Sequence, residues 1–179
     1  MKILDNYKFL LLIALLFASC RKTEAGFDMS YRREFNLPGG LNIFQSHNFE
    51  FKDIACDTSV FFKTNSATAS EITRIEPSTM NIRAIFGGAD NSYVFIDRVE
   101  VWISDPNRPN LTSQIAFFRD NVPINTGNRL DLIPNNIDVR PFLVEGSRIN
   151  LRINLRLRNT PDRSIDSEWN ASFFAFSSK

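Results

Sequence analysis

Few side chains in this sequence could do covalent or metal chemistry. The chain has one histidine, His47, and two cysteines, Cys20 and Cys56. A Ser-His-Asp or Cys-His arrangement would have to use His47, which lies in a strand-like run, and the chain has no nucleophile motif such as GxSxG. Zinc sites usually combine several Cys and His ligands, which this chain does not offer. A pair of carboxylates could still serve a glycosidase, because such pairs leave no signature in a sequence. We expect a protein that is not an enzyme and that holds no metal or cofactor.

The most regular pattern is the run RINLRINLRLR at residues 148–158. Successive side chains of a strand point to opposite faces, so four arginines share one face and five aliphatic residues share the other. Pairing with the next run, residues 166–176, matches both faces in a single register. Its pairs include Arg158 with Asp166, Arg156 with Glu168 and Leu155 with Trp169. This register predicts a solvent-facing strand whose arginines pair with carboxylates on the neighbouring strand.

The same register leaves two arginines without a carboxylate opposite them, and these define a first candidate binding surface. Arg148 and Arg152 have no carboxylate opposite them, and Phe174 and Phe176 would share their face. Exposed aromatic side chains beside arginine are typical of protein interfaces. The alternative is that the N-terminal strand or a loop covers the two phenylalanines.

A second candidate surface lies on SYVFIDRVEVWIS, residues 92–104. If the valines of this strand face the core, Trp102 points outward, where it could stack on a sugar ring or anchor a protein. Tyr93 and neighbouring Asp/Asn turns would complete a glycan site. Calcium would need about six to eight oxygen ligands from such turns, which are also rich in Asp and Asn for conformational reasons. Those turns contain Asp90-Asn91, Asp105-Pro106-Asn107 and Asp120-Asn121. Regular alternation along this strand would point Asp97 into the core. This predicts either a β-bulge near Asp97-Arg98 or a buried carboxylate that pairs with an arginine.

Nine β-rich runs separated by Gly, Pro, Asn and Asp must position these residues. They are residues 28–37, 41–51, 58–63, 79–86, 92–104, 113–119, 129–133, 148–158 and 166–176. This pattern fits a β-sandwich or an open barrel, and we predict an all-β fold, an antiparallel β-sandwich of about eight or nine strands. Two short crossover helices are expected, at 69–75 after a capping box of Thr68 and Glu71, and at 139–144 after Asp138. Cys56 precedes an apolar run and is expected to be a buried structural thiol.

The N-terminus has the pattern of an export signal. Lys2 and Lys8 flank the start of the apolar run FLLLIALLFA, residues 9–18, which is too short for a membrane-spanning helix of about 20 residues. The stretch LLFASC resembles the cleavage box of bacterial lipoproteins, although Phe17 stands where that family usually has an aliphatic residue. The resemblance implies a signal peptide at 1–19, a lipid on Cys20, a tether over 20–26 and a single domain over 27–179. The alternative is an ordinary secretory signal with cleavage nearby.

The same resemblance suggests a location. Arg21 follows the cysteine in place of the Asp that retains lipoproteins at the inner membrane, which favours the outer membrane and leaves periplasmic or surface facing open. Removing residues 1–19 leaves 19 basic and 19 acidic side chains, and this neutral balance argues against nucleic acid. We therefore expect a lipid-anchored accessory or assembly subunit with a protein partner in the cell envelope. The alternative is a carbohydrate-binding module, in which calcium could take part.

Overall fold

A computed structural model describes residues 25–86 and 92–178 as eight strands and two short helices. The strands are β1 (Ala25–Leu37), β2 (His47–Ala55), β3 (Ile72–Ala84), β4 (Ile96–Ser104), β5 (Gln114–Arg119), β6 (Arg129–Pro134), β7 (Arg148–Leu157) and β8 (Ile165–Ser177). The helices are α1 (Thr58–Thr64) and α2 (Arg140–Leu143). The expectations for the signal peptide, for Cys20 and for the Asp90-Asn91 turn lie outside the described residues. The tether expected over 20–26 is wrong at its last two residues, because Ala25 and Gly26 pair with β8 as the start of β1.

The strands form two four-stranded antiparallel sheets. Sheet 1 has the order β1-β8-β3-β6, and sheet 2 has the order β2-β7-β4-β5. A short pairing of β5 with β6 joins them into one curled sheet. This order, in which the chain passes repeatedly between the two sheets, is the double Greek key of a jelly roll. The all-β sandwich prediction is confirmed.

The core lies between the sheets and follows from the period-two patterns of the strands. The five aliphatic residues of β7, at 149, 151, 153, 155 and 157, are all buried. Aromatic rings link the two sheets: the centroids of Phe117 and Phe173 are 5.5 Å apart, and those of Phe51 and Trp169 are 5.4 Å apart. Full burial of each such side chain contributes about 1.5–3 kcal/mol, so these contacts hold the sheets together.

The strand directions give the sandwich two distinct poles. Every pairing joins an odd-numbered strand to an even-numbered one and is antiparallel, so all odd-numbered strands run the same way. One end, which we call the loop pole, therefore collects the connections at residues 38–46, 120–128 and 158–164, together with residues 85–86 and 92–95 of the connection between β3 and β4. The opposite end, the terminal pole, holds the start of β1, the end of β8 and the other three connections. At about 3.3 Å per residue, the 13 residues of β8 separate the poles by roughly 40 Å.

The pairing expected between β7 and β8 is wrong. β7 lies between β2 and β4 in sheet 2, whereas β8 lies between β1 and β3 in sheet 1. Arg156 lies opposite Arg98, and Glu168 instead accepts hydrogen bonds from Arg83 at 2.8 and 3.0 Å. Cross-strand charge pairs contribute only about 0.2–1 kcal/mol each, so they do not decide which strands become neighbours.

Two local expectations are also wrong. Residues 58–63, expected as a strand, form helix α1, whose Phe62 is buried with its ring 6.0 Å from that of Phe27. The helix expected at 69–75 is absent, because β3 begins at Ile72. Glu71 still accepts a hydrogen bond from the Thr68 amide at 2.7 Å, so this half of the capping box forms in a turn.

Two other local expectations are confirmed. Helix α2 lies within the predicted range 139–144, and the Asp138 carboxylate accepts hydrogen bonds from the amides of Arg140 and Ile75. The bulge expected at Asp97 appears as a register shift between Ile96 and Arg98.

Candidate functional site

A groove of about 540 Å³ crosses the outer face of sheet 2 next to the β4–β5 connection. Its floor combines side chains from three adjacent strands, and one wall is the connection itself, which includes Pro106 and Pro109. The polar and aromatic floor residues are Glu50, Lys52, Trp102, Asn150 and Arg152. The groove therefore presents charged, amide and indole groups together.

The register of sheet 2 sets these side chains side by side. Glu50 lies opposite Arg152, and Arg152 lies opposite Trp102 on its other flank. All three point outward because the alternate residues of their strands fill the core; Val101 and Ile103, the chain neighbours of Trp102, are fully buried. A row of carboxylate, guanidinium and indole groups results.

Arg152 and Trp102 are in contact. The guanidinium carbon of Arg152 lies over the indole ring, 5.3 Å from its centroid. The Trp102 Nε1 donates to the Glu100 carboxylate at 3.2 Å, and Glu100 also accepts from Arg98 at 2.7 Å. The indole is thus fixed from its own strand, and it supports the guanidinium through a cation–π contact.

The acidic and basic neighbours of Arg152 pair with each other. The Lys52 ammonium lies 3.2 Å from the Glu50 carboxylate. Within residues 25–86 and 92–178, no carboxylate lies within 4.0 Å of the Arg152 guanidinium nitrogens. The Arg152 donors therefore face the groove without an anionic partner from the described chain.

A buried ion pair holds the wall of the groove. The Asp105 side chain is fully buried; it accepts from Arg108 Nε at 2.7 Å and from the Asn107 amide at 2.8 Å. Burial by itself disfavours the charge of Asp105, but these hydrogen bonds and the nearby Arg108 charge outweigh it and lower the pKa of the carboxyl. Arg108 also donates to Glu145 at 2.8 Å and to the Pro141 carbonyl. The β4–β5 connection is therefore tied to the β6–β7 connection.

The structure separates the predicted binding residues. It brings Trp102 and Arg152 together in the groove. Arg148 lies on the same face outside the groove and donates to the Asp53 carbonyl at 2.8 Å. The expectation for Tyr93 is wrong, because this side chain is fully buried and its hydroxyl donates to Ser167 at 2.9 Å. Burial raises the pKa of Tyr93 to about 12.

Phe174 and Phe176 do not share a face with the arginines of β7, as was expected, because they lie on the outer face of sheet 1. Their ring centroids are 4.9 Å apart, and the Arg74 guanidinium lies 4.5 Å from the Phe176 centroid. The Phe174 ring covers Gly26 so closely that a Cβ at that position would lie 2.4 Å from it. The N-terminal strand β1 thus packs against this aromatic pair, which corresponds to the alternative stated for these residues.

Three of the residues considered for covalent or metal chemistry are buried or have partners in the described part of the chain, namely Cys56, His47 and Asp120. Cys56 is buried as expected, and burial, followed by the charges of Asp105 and Asp57, raises the pKa of its thiol to about 12. His47 Nε2 lies 2.7 Å from the Asn42 carbonyl. Asp120 lies 2.7 Å from Arg98. Over the described ranges, no cluster of three His, Cys, Asp or Glu side chains is arranged to hold a metal ion. In the same part of the chain, neither short helix could cross a membrane.

The loop pole carries a set of exposed apolar side chains that the sequence patterns did not reveal. Phe44 is 91% exposed, Ile124 78% and Phe86 71%, and each belongs to a different connection. Ile43 precedes Phe44 and Ile85 precedes Phe86, and both isoleucines are also exposed. A single apolar residue in a turn has no periodic pattern, so only the clustering of the connections at one pole reveals this apolar surface.

Comparisons with known proteins do not identify a family for this chain. No protein-family model matches the chain, and no curated protein matches it. Among solved structures, one of Desmodium yellow mottle tymovirus is 9% identical, over 88% of this chain and 91% of that chain, with a TM-score of 0.29. The decameric BFDV capsid protein is 10% identical over 84% and 98%, with a TM-score of 0.33. Dimeric latent PorU from Porphyromonas gingivalis is 9% identical over 84% of this chain and 13% of that chain, with a TM-score of 0.30. These values carry no functional conclusion.

Proposed function

We propose that this chain is a lipid-anchored, non-enzymatic interaction subunit of a bacterial cell envelope, and that its loop pole binds a protein partner. The observation that supports this is the concentration of large exposed apolar side chains at the pole opposite the start of β1. Clustered exposed apolar side chains mark interaction sites on soluble domains.

The geometry suits a subunit that is held at one end and binds at the other. With a lipid on Cys20, residues 20–24 would reach at most about 20 Å from the bilayer to β1. With this anchor, the loop pole, which lies roughly 40 Å from the start of β1, would be on the far side of the domain from the bilayer. The resemblance to bacterial lipoproteins, with Arg21 in place of the Asp that retains them at the inner membrane, supports the outer membrane as the site of anchoring.

The loop pole offers several large exposed apolar side chains to a partner. Burial of one large apolar side chain contributes about 1.5–3 kcal/mol relative to exposure, and three such side chains, 71%, 78% and 91% exposed, lie on separate connections. Aromatic residues are also enriched at protein interfaces, and two of the three are phenylalanines, Phe44 and Phe86. The partner is therefore expected to present an apolar surface to this pole.

Crosslinking in intact cells, followed by mass spectrometry, tests this proposal with matched variants. Phe44→Ser and Ile124→Ser each remove an apolar side chain from the loop pole, and each is expected to weaken capture of a stoichiometric partner at least tenfold. Val60→Ser is the control, because Val60 is 61% exposed but lies at the terminal pole. Cys20→Ala tests whether capture requires the lipid anchor.

Three results would contradict the proposal. The first is a partner that is captured equally by the loop-pole variants. The second is an equal loss in Val60→Ser. The third is a purified protein that self-associates through Phe44 and Ile124 in sedimentation experiments, which would assign the pole to a second copy of this chain.

Carbohydrate binding at the groove of sheet 2 is the second candidate function. The observation that favours it is the half-buried Trp102 among polar side chains in a groove of about 540 Å³. Titration calorimetry of the full-length protein in mild detergent with oligosaccharides tests this function. Binding is expected for the wild type and is expected to be lost in Trp102→Ala.

A further inference from the structure

We infer that the groove of sheet 2 binds an acidic saccharide and that Arg152 receives the carboxylate of the sugar. This inference rests on the second candidate function and names its class of ligand. It starts from the cation–π contact of Arg152 with Trp102, 5.3 Å from guanidinium carbon to ring centroid.

Arg152 carries the charge that is left uncompensated in the groove. Glu50, directly opposite on β2, pairs with Lys52 at 3.2 Å, and Asp105 in the wall pairs with Arg108 at 2.7 Å. Among the residues that the structure describes, no carboxylate is within ion-pair distance of Arg152. An anionic ligand group is therefore expected to bind at Arg152.

The indole of Trp102 orients the Arg152 guanidinium so that it can bind a carboxylate. A guanidinium binds a carboxylate through two parallel N–H donors, and it can do so while its flat face rests on an aromatic ring. Trp102 is itself held by its hydrogen bond to Glu100 at 3.2 Å. Trp102 is thus a positioning residue, since it limits the orientations of Arg152 before a ligand arrives.

The lining of the groove favours a saccharide over an acidic peptide. Arg152 and Trp102 lie on β7 and β4, which are each paired on both sides, so a peptide backbone cannot pair with the strands beneath them; the edge strand of sheet 2 is β2, whose Glu50 and Lys52 also line the groove. Hydroxyl and amide side chains line the groove, namely Ser104, Thr112, Ser113 and Asn150. These groups suit sugar hydroxyls, and the volume of about 540 Å³ is in the usual range for small-ligand sites, about 300–1,000 Å³.

Calorimetric titration of the full-length protein in mild detergent tests the inference. The probes are a short oligomer of a uronic acid and the neutral oligomer of the corresponding hexose. The acidic oligomer is expected to bind at least tenfold more tightly than the neutral one, and its affinity is expected to fall as salt rises. Arg152→Gln is expected to weaken binding of the acidic oligomer by about ten- to a hundredfold, because a charged hydrogen-bond partner is lost.

Arg156→Gln is the matched control. Arg156 lies on the same face of the same strand, four residues from Arg152 and outside the groove, opposite Arg98. This variant loses the same formal charge, and we expect its affinity to stay within about twofold of wild type. Arg152→Lys keeps the charge but loses the paired donors, so an intermediate loss of affinity is expected. Near-UV circular dichroism shows whether each variant is folded.

The possible outcomes separate this inference from the function on which it rests. If neutral and acidic oligomers bind equally and Trp102→Ala abolishes both, the glycan function stands and the acidic ligand is wrong. If a short polyglutamate binds through Arg152 and the uronic acid oligomer does not, the ligand is an acidic peptide and the inference is wrong. If no oligosaccharide binds, both are wrong. An equal loss in Arg156→Gln would overturn the role of Arg152.

Discussion

The ion pair behind the groove wall gives a quantitative test of the structure, through the substitution Asp105→Asn. The Asp105 side chain is fully buried, whereas Arg108 is 34% exposed and keeps its hydrogen bond to Glu145 at 2.8 Å. Removing one partner of a fully buried pair costs about 3–5 kcal/mol, and exposed pairs contribute about 0–1 kcal/mol. Because Arg108 retains a partner and some solvent, the expected loss for Asp105→Asn lies between these limits, at about 2–3 kcal/mol of unfolding free energy.

Urea and thermal unfolding at neutral pH measure this loss. For a domain of this size, each kcal/mol lowers the melting temperature by about 2–4 °C, so a decrease of about 4–12 °C is expected. The control is Asp131→Asn, which breaks an exposed ion pair. The Asp131 side chain is 64% exposed, and that of its partner Arg129 is 58% exposed. That variant is expected to lose less than about 1 kcal/mol.

The pH dependence provides a second readout of the same pair. The folded-state pKa of Asp105 is below its ordinary value, so its stabilising contribution is complete above the ordinary pKa of about 4. The contribution is lost as the pH falls through the lower folded-state pKa. The stability difference between wild type and Asp105→Asn should therefore be constant from about pH 5 to 8 and should shrink in acid. Equal losses in the buried and exposed variants, or a difference that persists unchanged in acid, would refute this reasoning.

Three further predictions concern the core and the first strand. Phe173→Ala is expected to cost about 3–5 kcal/mol in urea unfolding, because this buried ring joins the two sheets; a loss below about 1 kcal/mol would contradict the packing. Cys56, whose pKa is raised to about 12, is expected to react with a thiol reagent at pH 8 only after unfolding in urea, and rapid native labelling would contradict its burial. Gly26→Ala is expected to cost about 1–3 kcal/mol, because its Cβ would lie 2.4 Å from the Phe174 ring. Gly127→Ala, with nothing within 4 Å, should leave the melting temperature unchanged.

The period-two patterns predict the inward and outward faces of β4 and β7 correctly, whereas β2 begins at His47 and not at residue 41, and β3 begins at Ile72 and not at residue 79. In β4, the alternation around Trp102 placed the valines in the core and the indole outside, as the structure shows. The run at 58–63 was misread as a strand because a short apolar run has no period that separates strand from helix. As a helix, this run packs Phe62 against Phe27 of β1. Phe27 is 35 residues away in the sequence, so a local pattern cannot predict this contact.

The candidate site was predicted only in part. Trp102 and Arg152 were each identified from outward parity, but their contact depends on the pairing of β4 with β7. Tyr93 was misplaced because it precedes β4, in a segment where strand parity does not apply. The exposed apolar surface of the loop pole was missed altogether, since its members are separated by tens of residues.

Local spacing and the burial of alternate side chains are sufficient to predict the all-β class, most strand positions and the inward face of most strands. Which strands become neighbours depends on long-range packing and is visible only in the folded protein. β7 and β8 follow one another along the chain, and their charges can be matched, yet they lie in opposite sheets. Burying both apolar faces in a shared core contributes far more free energy than a few surface ion pairs, and that burial is possible only across the sandwich. The same long-range pairing creates the groove at Arg152 and gathers Phe44, Phe86 and Ile124 at one pole.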